Sequence, residues 1–397
     1  MRSSRWLPLL LAAAGAFASP CFGRIKLITL PVREKVEIEL DHPQATLVEE
    51  ERIVPLVKGE NEVDFSWANT AIDPSTIVFR VVDKPDAVKV LSVSYPPGEA
   101  ALVWAVSANE SGSARVRISY LLGNLSKSFT YRAVANHAET SLVLSQYMRL
   151  ENFANEEFAA TNLWAGFGKE FHKPVGLNET KEMLMARFDG VPVKKTYTCD
   201  ATEFGYLDEP QKKLRVPMHY VIKNDKKSAL GAAPLQDGKV RIFIEGSAQD
   251  QPTAFLGEDW GKFTPVDDEM RLYLGVAQDV VVKRFIEKNE TIRTAGNAAD
   301  LFDHDVVVKY EIENRKDQPV TLDVSENMHA LHNEAIGRDT GRDVQWDLGK
   351  QTDLGDRDLE KSTFEKVLFH VDLPAREKDG TAKKVTKRLH VVFKNDW

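Results

Sequence analysis

The sequence has few cysteines, since only Cys21 and Cys199 occur among 397 residues. Small domains that depend on disulfides carry several cysteine pairs at short spacings, so this chain is not a disulfide framework. Hydrophobic residues make up 43% of the chain and charged residues 28%, which is an ordinary globular composition. The composition therefore predicts a protein that is stabilised by a packed core.

Long apolar runs are absent beyond the N-terminus, and no later segment reaches the ~20 residues that span a bilayer. The first residues, MRSSRWLPLLLAAAGAFASPCFG, carry two arginines, a short apolar run and then small residues. This order is typical of a secretory signal peptide, and it favours that interpretation over a membrane anchor. We therefore predict that residues 1–23 are a signal peptide and that the protein is exported, to the periplasm or the cell exterior.

The cleavage site decides the fate of the two cysteines. Cleavage after Ala18 keeps Cys21, which could then pair with Cys199. Cleavage after Gly23 removes Cys21 and leaves Cys199 as a lone thiol, which we expect to pack against a sheet. Both alternatives are open at the level of the sequence.

Positive charge is not concentrated anywhere in the chain. The formal net charge is −8, and lysine pairs are set among acidic residues without forming a basic stripe. A nucleic-acid partner is therefore not expected. The sequence also lacks a G-x-S-x-G elbow, a phosphate-binding loop and a dinucleotide fingerprint, so no enzymatic activity is predicted from motifs.

The dominant pattern is the alternation of apolar and polar residues. In SARVRISYL, Val116, Ile118 and Tyr120 point to one face, and KVRIFIEG and DVVVKYEIEN show the same period of two. We predict an all-β protein of two or more antiparallel β-sandwich-like domains with little helix. The polar turn NHAETS suggests a boundary between an N-terminal β domain at 24–145 and one or more C-terminal β domains at 146–397.

Two segments could be interpreted in another way. NETKEMLMARF has helix-forming residues after an asparagine, but the strand-like residues that follow favour a strand. The stretch AFLGEDWGKFTPVDD resembles an active site, yet its adjacent acids Glu258 and Asp259 would point to opposite faces of an extended chain. We therefore predict that residues 254–268 connect strands.

A family resemblance is carried by the run from residue 234 to residue 284. Its elements are a proline, leucine and glycine turn, a strand, the sequence Leu-Gly-Glu, a Thr-Pro turn and a strand with spaced glycine and valine residues; the matching positions are Pro234, Leu235, Gly238, Leu256, Gly257, Glu258, Thr264, Pro265, Leu274, Gly275, Asp279, Val280, Val282 and Arg284. The order resembles that of a family of exported proteins that includes the mucoidy-inhibitor-A-like proteins, over about residues 36–330.

The resemblance implies export and a β-sandwich architecture. It implies no catalytic activity, and the family provides no catalytic residues to assign to this chain. Many members of the family have a long coiled coil between two β domains, whereas this sequence has no sustained heptads. A function that depends on such a coil is therefore not expected of this protein.

A polar segment near residues 325–360 contains the candidate metal ligands. Its apolar residues are sparse, and we predict a long loop between two strands. The histidines in MHALHNEA do not form the HExxH pattern of zinc proteases, and the acids in DLGDRDLE do not follow the EF-hand spacing. A solvated polar loop is therefore favoured and no cofactor is expected, with zinc or calcium as the alternative; the candidate ligands for such a metal are His329, His332, Glu334, Asp353, Asp356 and Asp358.

Trp346 is the candidate anchor for a partner in this segment, with His329 and His332 beside it. A lone tryptophan among charged residues can contact a sugar or a protein, or it can fold back onto the sheet as a core residue. We predict a non-catalytic, exported binding or structural module that recognises a protein or polysaccharide of the cell envelope. The alternative is a metal-dependent hydrolase that uses residues 329–358.

Overall fold

The computed structural model describes residues 26–42, 45–159, 161–164, 169–247, 252–294 and 301–396. The predicted signal peptide and Cys21 lie outside these residues. Most of the described chain is strand, and one α-helix occurs in it. The predicted all-β class with little helix is confirmed.

Strands follow one another along almost the whole described chain. The first twelve are β1 (Lys26–Thr29), β2 (Lys35–Glu39), β3 (Thr46–Leu56), β4 (Gly59–Ser66), β5 (Val78–Val81), β6 (Val88–Ser94), β7 (Ala101–Ala108), β8 (Gly112–Leu122), β9 (Leu125–Ala135), β10 (Ser141–Asn152), β11 (Thr161–Trp164) and β12 (Glu170–His172). The next eight are β13 (Thr180–Pro192), β14 (Lys194–Asp200), β15 (Tyr206–Asp208), β16 (Lys213–Leu214), β17 (Pro217–Lys223), β18 (Gly238–Ile244), β19 (Ala254–Gly261) and β20 (Glu269–Val276). The last elements are β21 (Val280–Thr294), β22 (Leu301–Asn314), β23 (Val320–Asn327), helix α1 (Met328–Ile336), β24 (Gln345–Leu348), β25 (Asp356–Arg357), β26 (Lys366–Leu373) and β27 (Lys383–Asp396). Two short 3-10 helices lie at Pro74–Thr76 and Lys226–Ser228.

The first compact unit contains the described parts of residues 1–126 and 151–180. It has one sheet in the order β1-β4-β7-β6 and another in the order β12-β11-β2-β3-β8-β5. The ring of Phe65 in the first sheet lies 6.0 Å from that of Tyr120 in the second, and Phe79 and Trp104 are 4.7 Å apart. The two sheets therefore share an aromatic core, which their alternating apolar residues build.

The second compact unit contains the described parts of residues 127–150 and 181–397. Its three sheets have the orders β13-β10-β9-β18-β19, β20-β17-β14-β23-β26-β25 and β15-β16-β21-β22-β27-β24. Cys199 and Val324 of the second of these sheets lie in one buried cluster with Val306, Val308 and Leu389 of the third. These two six-stranded sheets therefore pack face to face across a common core.

Four strand pairs in the described residues are parallel, which the predicted antiparallel arrangement did not include. They are β1 with β4, β2 with β11, β9 with β18, and β14 with β23. In the last two pairs about 100 residues or more separate the partners in sequence, well beyond the dozen or so residues that a parallel connection requires. The sheets are therefore mixed.

The predicted domain boundary at residue 145 falls inside β10. Strand β9 lies between β10 and β18 in one sheet, so residues 127–150 belong to the second unit rather than to the first. The polar turn NHAETS is a hairpin turn within that sheet. Each unit is thus assembled from two separate stretches of the chain.

The two ambiguous segments are both strands. NETKEMLMARF lies mostly in β13, as favoured. AFLGEDWG is also a strand, β19, which pairs with β18, so the prediction of a connection was wrong for residues 254–261. Glu258 pairs with Lys239 at 3.1 Å, while Asp259 accepts a hydrogen bond from the backbone N–H of Tyr273 at 2.7 Å.

The predicted long loop at residues 325–360 is replaced by regular structure. Strand β23 continues to Asn327, α1 follows directly, and β24 and β25 add to two different sheets. Asn327 caps α1 by accepting a hydrogen bond from the N–H of Ala330 at 2.8 Å, and Gly337 ends it in the left-handed conformation. In the described part of the chain, no helix has the length and apolar character needed to cross a membrane.

Candidate functional site

The first three predicted metal ligands lie on α1 but point to different partners. His329 is half-buried and lies 3.4 Å from the carboxylate of Asp343. Glu334 pairs with the buried guanidinium of Arg284 at 2.8 Å. His332 is buried and lies 3.1 Å from a carboxylate oxygen of Asp396. Helix α1 therefore disperses these residues instead of gathering them.

The three predicted aspartates do not join them. Asp353 accepts a hydrogen bond from the backbone N–H of Arg388, and Asp356 lies in the short edge strand β25. Asp358 lies 3.3 Å from the Nε2 atom of His370. The six predicted ligands therefore do not lie together as one site in the described residues.

A different cluster contains His332. Its ligand atoms and those of His304 and Asp396 lie within 4.8 Å of one another, and this is the one such group of three or more found in the described residues. The Nε2 atoms of His304 and His332 lie 3.2 and 3.1 Å from the same oxygen, Oδ2, of Asp396. All three residues are buried. Strand β22, helix α1 and strand β27 each contribute one of them.

Two members of this cluster, His304 and Asp396, were not predicted from the sequence. His304 had a detectable signal, since it is in phase with the buried residues Val306 and Val308 of β22. Asp396 had none, because Asn395 adopts a left-handed conformation with φ of 56° and breaks the alternation of β27. A pattern of period two therefore does not place Asp396 on the buried side.

Trp346 lies in β24 and packs partly against the core of the second unit. Its Nε1–H donates to the backbone carbonyl of Phe364 at 2.8 Å, and its ring stacks on that of Phe364 with centroids 6.2 Å apart. The guanidinium of Arg357 lies 5.7 Å from the same ring. Its only hydrogen-bond donor is therefore used within the protein, while the more exposed ring is Phe364.

A second candidate site, which the sequence analysis did not find, is a polar groove on the sheet that contains β14, β17, β20, β23 and β26. Tyr197 and Cys199 point into the core, so the alternation of β14 directs Thr198 to the opposite face. Leu322 and Val324 place Asp323 and Ser325 of β23 on that same face. The cavity there is about 440 Å³, and we define the polar groove by six lining residues: Thr198, His219, Arg271, Asp323, Ser325 and Lys366.

Three polar atoms of the groove lack hydrogen-bond partners. The Oγ1 atom of Thr198, the Nδ1 atom of His219 and the Oγ atom of Ser325 are buried, and none has a partner among the residues that the structure describes. Most buried polar groups are satisfied, because an unpaired one costs about 1–3 kcal/mol. Such groups on one cavity wall are what a binding site for a polar ligand provides.

The positive charge at one end of the groove is paired with carboxylates, whereas the positive charge at the other end is not. The Nζ atom of Lys366 lies 2.7 Å from the buried carboxylate of Asp200 and 3.1 Å from the exposed carboxylate of Glu203. Burial alone raises the pKa of Asp200, but the hydrogen bond from Lys366 and others bring it below its usual range. Arg271, at the other end, is exposed and has no ion pair in the described chain. The groove therefore offers one free guanidinium for a negatively charged group.

The surroundings of His219 favour its neutral form. Burial lowers its pKa from the ordinary value of 6.5, and the positive charge of Arg271 lowers it further. His219 is therefore neutral at pH 7, and its imidazole can both donate and accept a hydrogen bond.

No protein-family model matches this chain, and no curated protein matches it significantly.

Proposed function

We propose that the protein is an exported, non-catalytic binding protein of the cell envelope, and that the polar groove of the second unit recognises a protein or polysaccharide partner. The observation that carries the proposal is the set of three unpartnered buried atoms, Thr198 Oγ1, His219 Nδ1 and Ser325 Oγ, on the wall of a single cavity. Nothing in the described residues compensates for their burial, whereas hydroxyl or amide groups of a ligand would.

The size and charge of the groove indicate which class of ligand it would bind. A volume of about 440 Å³ is within the range of sites that hold a small molecule or a short part of a polymer. Arg271 has no competing carboxylate partner in the described residues, so the preferred ligand has an acidic group. The predicted contact segment at residues 325–360 contributes Ser325 to this groove, and Lys361, which directly follows the segment, lines it as well.

Export rests on the N-terminal sequence and on the family resemblance. If the leader is removed, N-terminal sequencing of the mature protein will find Ser19 or Arg24 at the first position. An intact Met1 in the envelope fraction would contradict export by this route.

Binding is tested with the purified protein and separated polysaccharide and protein fractions of the cell envelope. We expect saturable binding to one fraction and a loss of at least about tenfold in affinity, or 1.4 kcal/mol, for Thr198→Val and for Arg271→Gln. Arg187→Gln is the matched control for the second variant, because Arg187 is an exposed arginine of β13 outside the groove.

The same experiment separates the alternatives. Unchanged affinity in both groove variants would show that the contact lies elsewhere, with the ring of Phe364 beside Trp346 as the next candidate. Cleavage of the bound polymer would contradict a non-catalytic role and support the hydrolase alternative.

A further inference from the structure

The histidine and aspartate cluster joins three elements that are far apart in the sequence. His304 lies in β22, His332 in α1 and Asp396 in β27, and their exposed fractions are 7%, 1% and 5%. Two imidazoles and a carboxylate are seldom gathered in a core without a reason, because each must be desolvated. Their Nε2, Nε2 and Oδ2 atoms converge on one point.

The distances agree with those between ligands of a tetrahedral zinc ion. Zinc bonds of about 2.0–2.1 Å at the tetrahedral angle place neighbouring ligand atoms about 3.4 Å apart. The two Nε2 atoms lie 3.2 and 3.1 Å from Oδ2 of Asp396, and all three atoms are within 4.8 Å of one another. The two nitrogen-to-oxygen distances are therefore already close to the tetrahedral separation, and the two nitrogens are near enough to bind the same ion.

We propose that His304, His332 and Asp396 bind one zinc ion through these three atoms and so tie β22, α1 and β27 together. The ligand types suit zinc, which accepts imidazole nitrogen and carboxylate oxygen in the same site. This inference is independent of the proposed function, because the cluster shares no residue with the polar groove.

The surroundings of the cluster orient the ligands. The Nδ1 atom of His304 is 3.1 Å from the hydroxyl oxygen of Thr291. When the ring proton is on Nδ1, it donates to this oxygen, and the unprotonated Nε2 atom can bind the metal. The ring of His332 packs 5.0 Å from that of Phe393.

Arg342 affects both the geometry and the affinity. Its guanidinium donates to Oδ1 of Asp396 at 2.9 Å, which holds the carboxylate and leaves Oδ2 for the metal. A cation so close also opposes the charge of zinc, so we expect weaker binding than at thiolate sites. A cavity of about 310 Å³, lined by Arg342 and Asp396 among others, lies beside the cluster.

The test measures zinc binding to the purified protein without a histidine tag, by calorimetry and by metal analysis after desalting. We expect one zinc per chain and a rise in the thermal unfolding midpoint in the presence of zinc. His332→Gln and Asp396→Asn should each lower the affinity by at least about tenfold. His329→Gln is the matched control, because it removes a histidine of the same helix that is outside the cluster, and it should bind as the wild type does.

A measurement on the wild type alone keeps the test independent of variant folding. In NMR spectra, zinc should shift the imidazole resonances of His304 and His332 and leave those of His329 and His370 unchanged. The proposal is overturned if the wild type shows no saturable binding up to about 100 µM zinc. It is equally overturned if zinc moves His329 rather than the pair, or if folded His332→Gln binds with unchanged affinity.

Discussion

His219 reports on the polar groove more directly than any other residue. Its pKa is lowered by burial first and by the positive charge of Arg271 second. We predict that an NMR titration of the folded protein finds the pKa of His219 below 6.5, and that Arg271→Gln moves it back towards that value. Arg187→Gln, which removes an arginine elsewhere in the second unit, should leave it unchanged.

The lowered pKa also fixes the direction of a stability effect. Between the folded and the ordinary pKa the unfolded chain binds more protons at this position than the folded one. The contribution of His219 to stability is therefore fully present above about pH 6.5 and is lost as the pH falls through the folded value. A pKa of His219 above the ordinary value would contradict the buried placement of its ring in the groove.

Single residues of the two sites were predictable only where the alternation of a strand revealed them. His304 lies on the buried side of β22 by the alternation of that strand, and Thr198 lies on the outer side of β14, between Tyr197 and Cys199. The left-handed Asn395 hides Asp396 from such a pattern. His332 was selected for its residue type, and its actual neighbours come from strands that no local pattern could relate to it.

At the level of elements, the role of β24 separates the two interpretations of Trp346. The ring stacks on Phe364, its Nε1–H donates to the carbonyl of Phe364, and it packs partly against the core. We predict that Trp346→Ala lowers the free energy of unfolding by about 1–3 kcal/mol, as for a partly buried aromatic residue. Urea unfolding measures this change.

Gln345→Ala is the control for that variant, since Gln345 is the exposed neighbour of Trp346 in β24. Its effect should stay within about 0.5 kcal/mol. The opposite result, in which Trp346→Ala keeps its stability and loses partner binding, would favour the predicted anchor and shift the recognition site away from the polar groove.

Helix α1 was detectable from its ends, although the sequence analysis placed it in a loop. Asn327 is a good N-cap and Gly337 a good C-terminal residue, and both act in this way. The nine residues between them bury only Met328, Leu331 and His332, so the apolar stripe is too short to stand out. Short polar helices are therefore recognised from capping residues rather than from periodicity.

For the whole molecule, strand content was predictable and strand pairing was not. Alternation reports which side of a strand is buried, but it does not state which distant strand lies beside it. Hence the all-β class followed from segments such as SARVRISYL, whereas the parallel pairing of β9 with β18 and of β14 with β23 did not. The difference between the predicted boundary and the division into compact units has the same cause, because β9 precedes that boundary yet belongs to the sheet of the second unit.

This placement of β9 leads to a test with two fragments. Both carry a short glycine linker in place of residues 151–180, which is feasible because the N–H of Asn152 donates to the carbonyl of Glu179 at 2.9 Å. One fragment begins at residue 127 and the other at residue 146, the predicted boundary. We expect the first to unfold cooperatively and the second to be unfolded or aggregated.

The physical reason is that the shorter fragment removes a central strand. Without β9, strand β18 loses a seven-residue parallel partner and β10 loses its neighbour, so two strands gain unpaired edges. The buried side chains of Tyr131, Ala133 and Ala135 are removed as well. The two fragments are compared by far-UV circular dichroism and thermal unfolding. If both unfold with the same cooperativity and the same midpoint, the second unit does not need β9. The boundary near residue 145 would then be the better division of the chain.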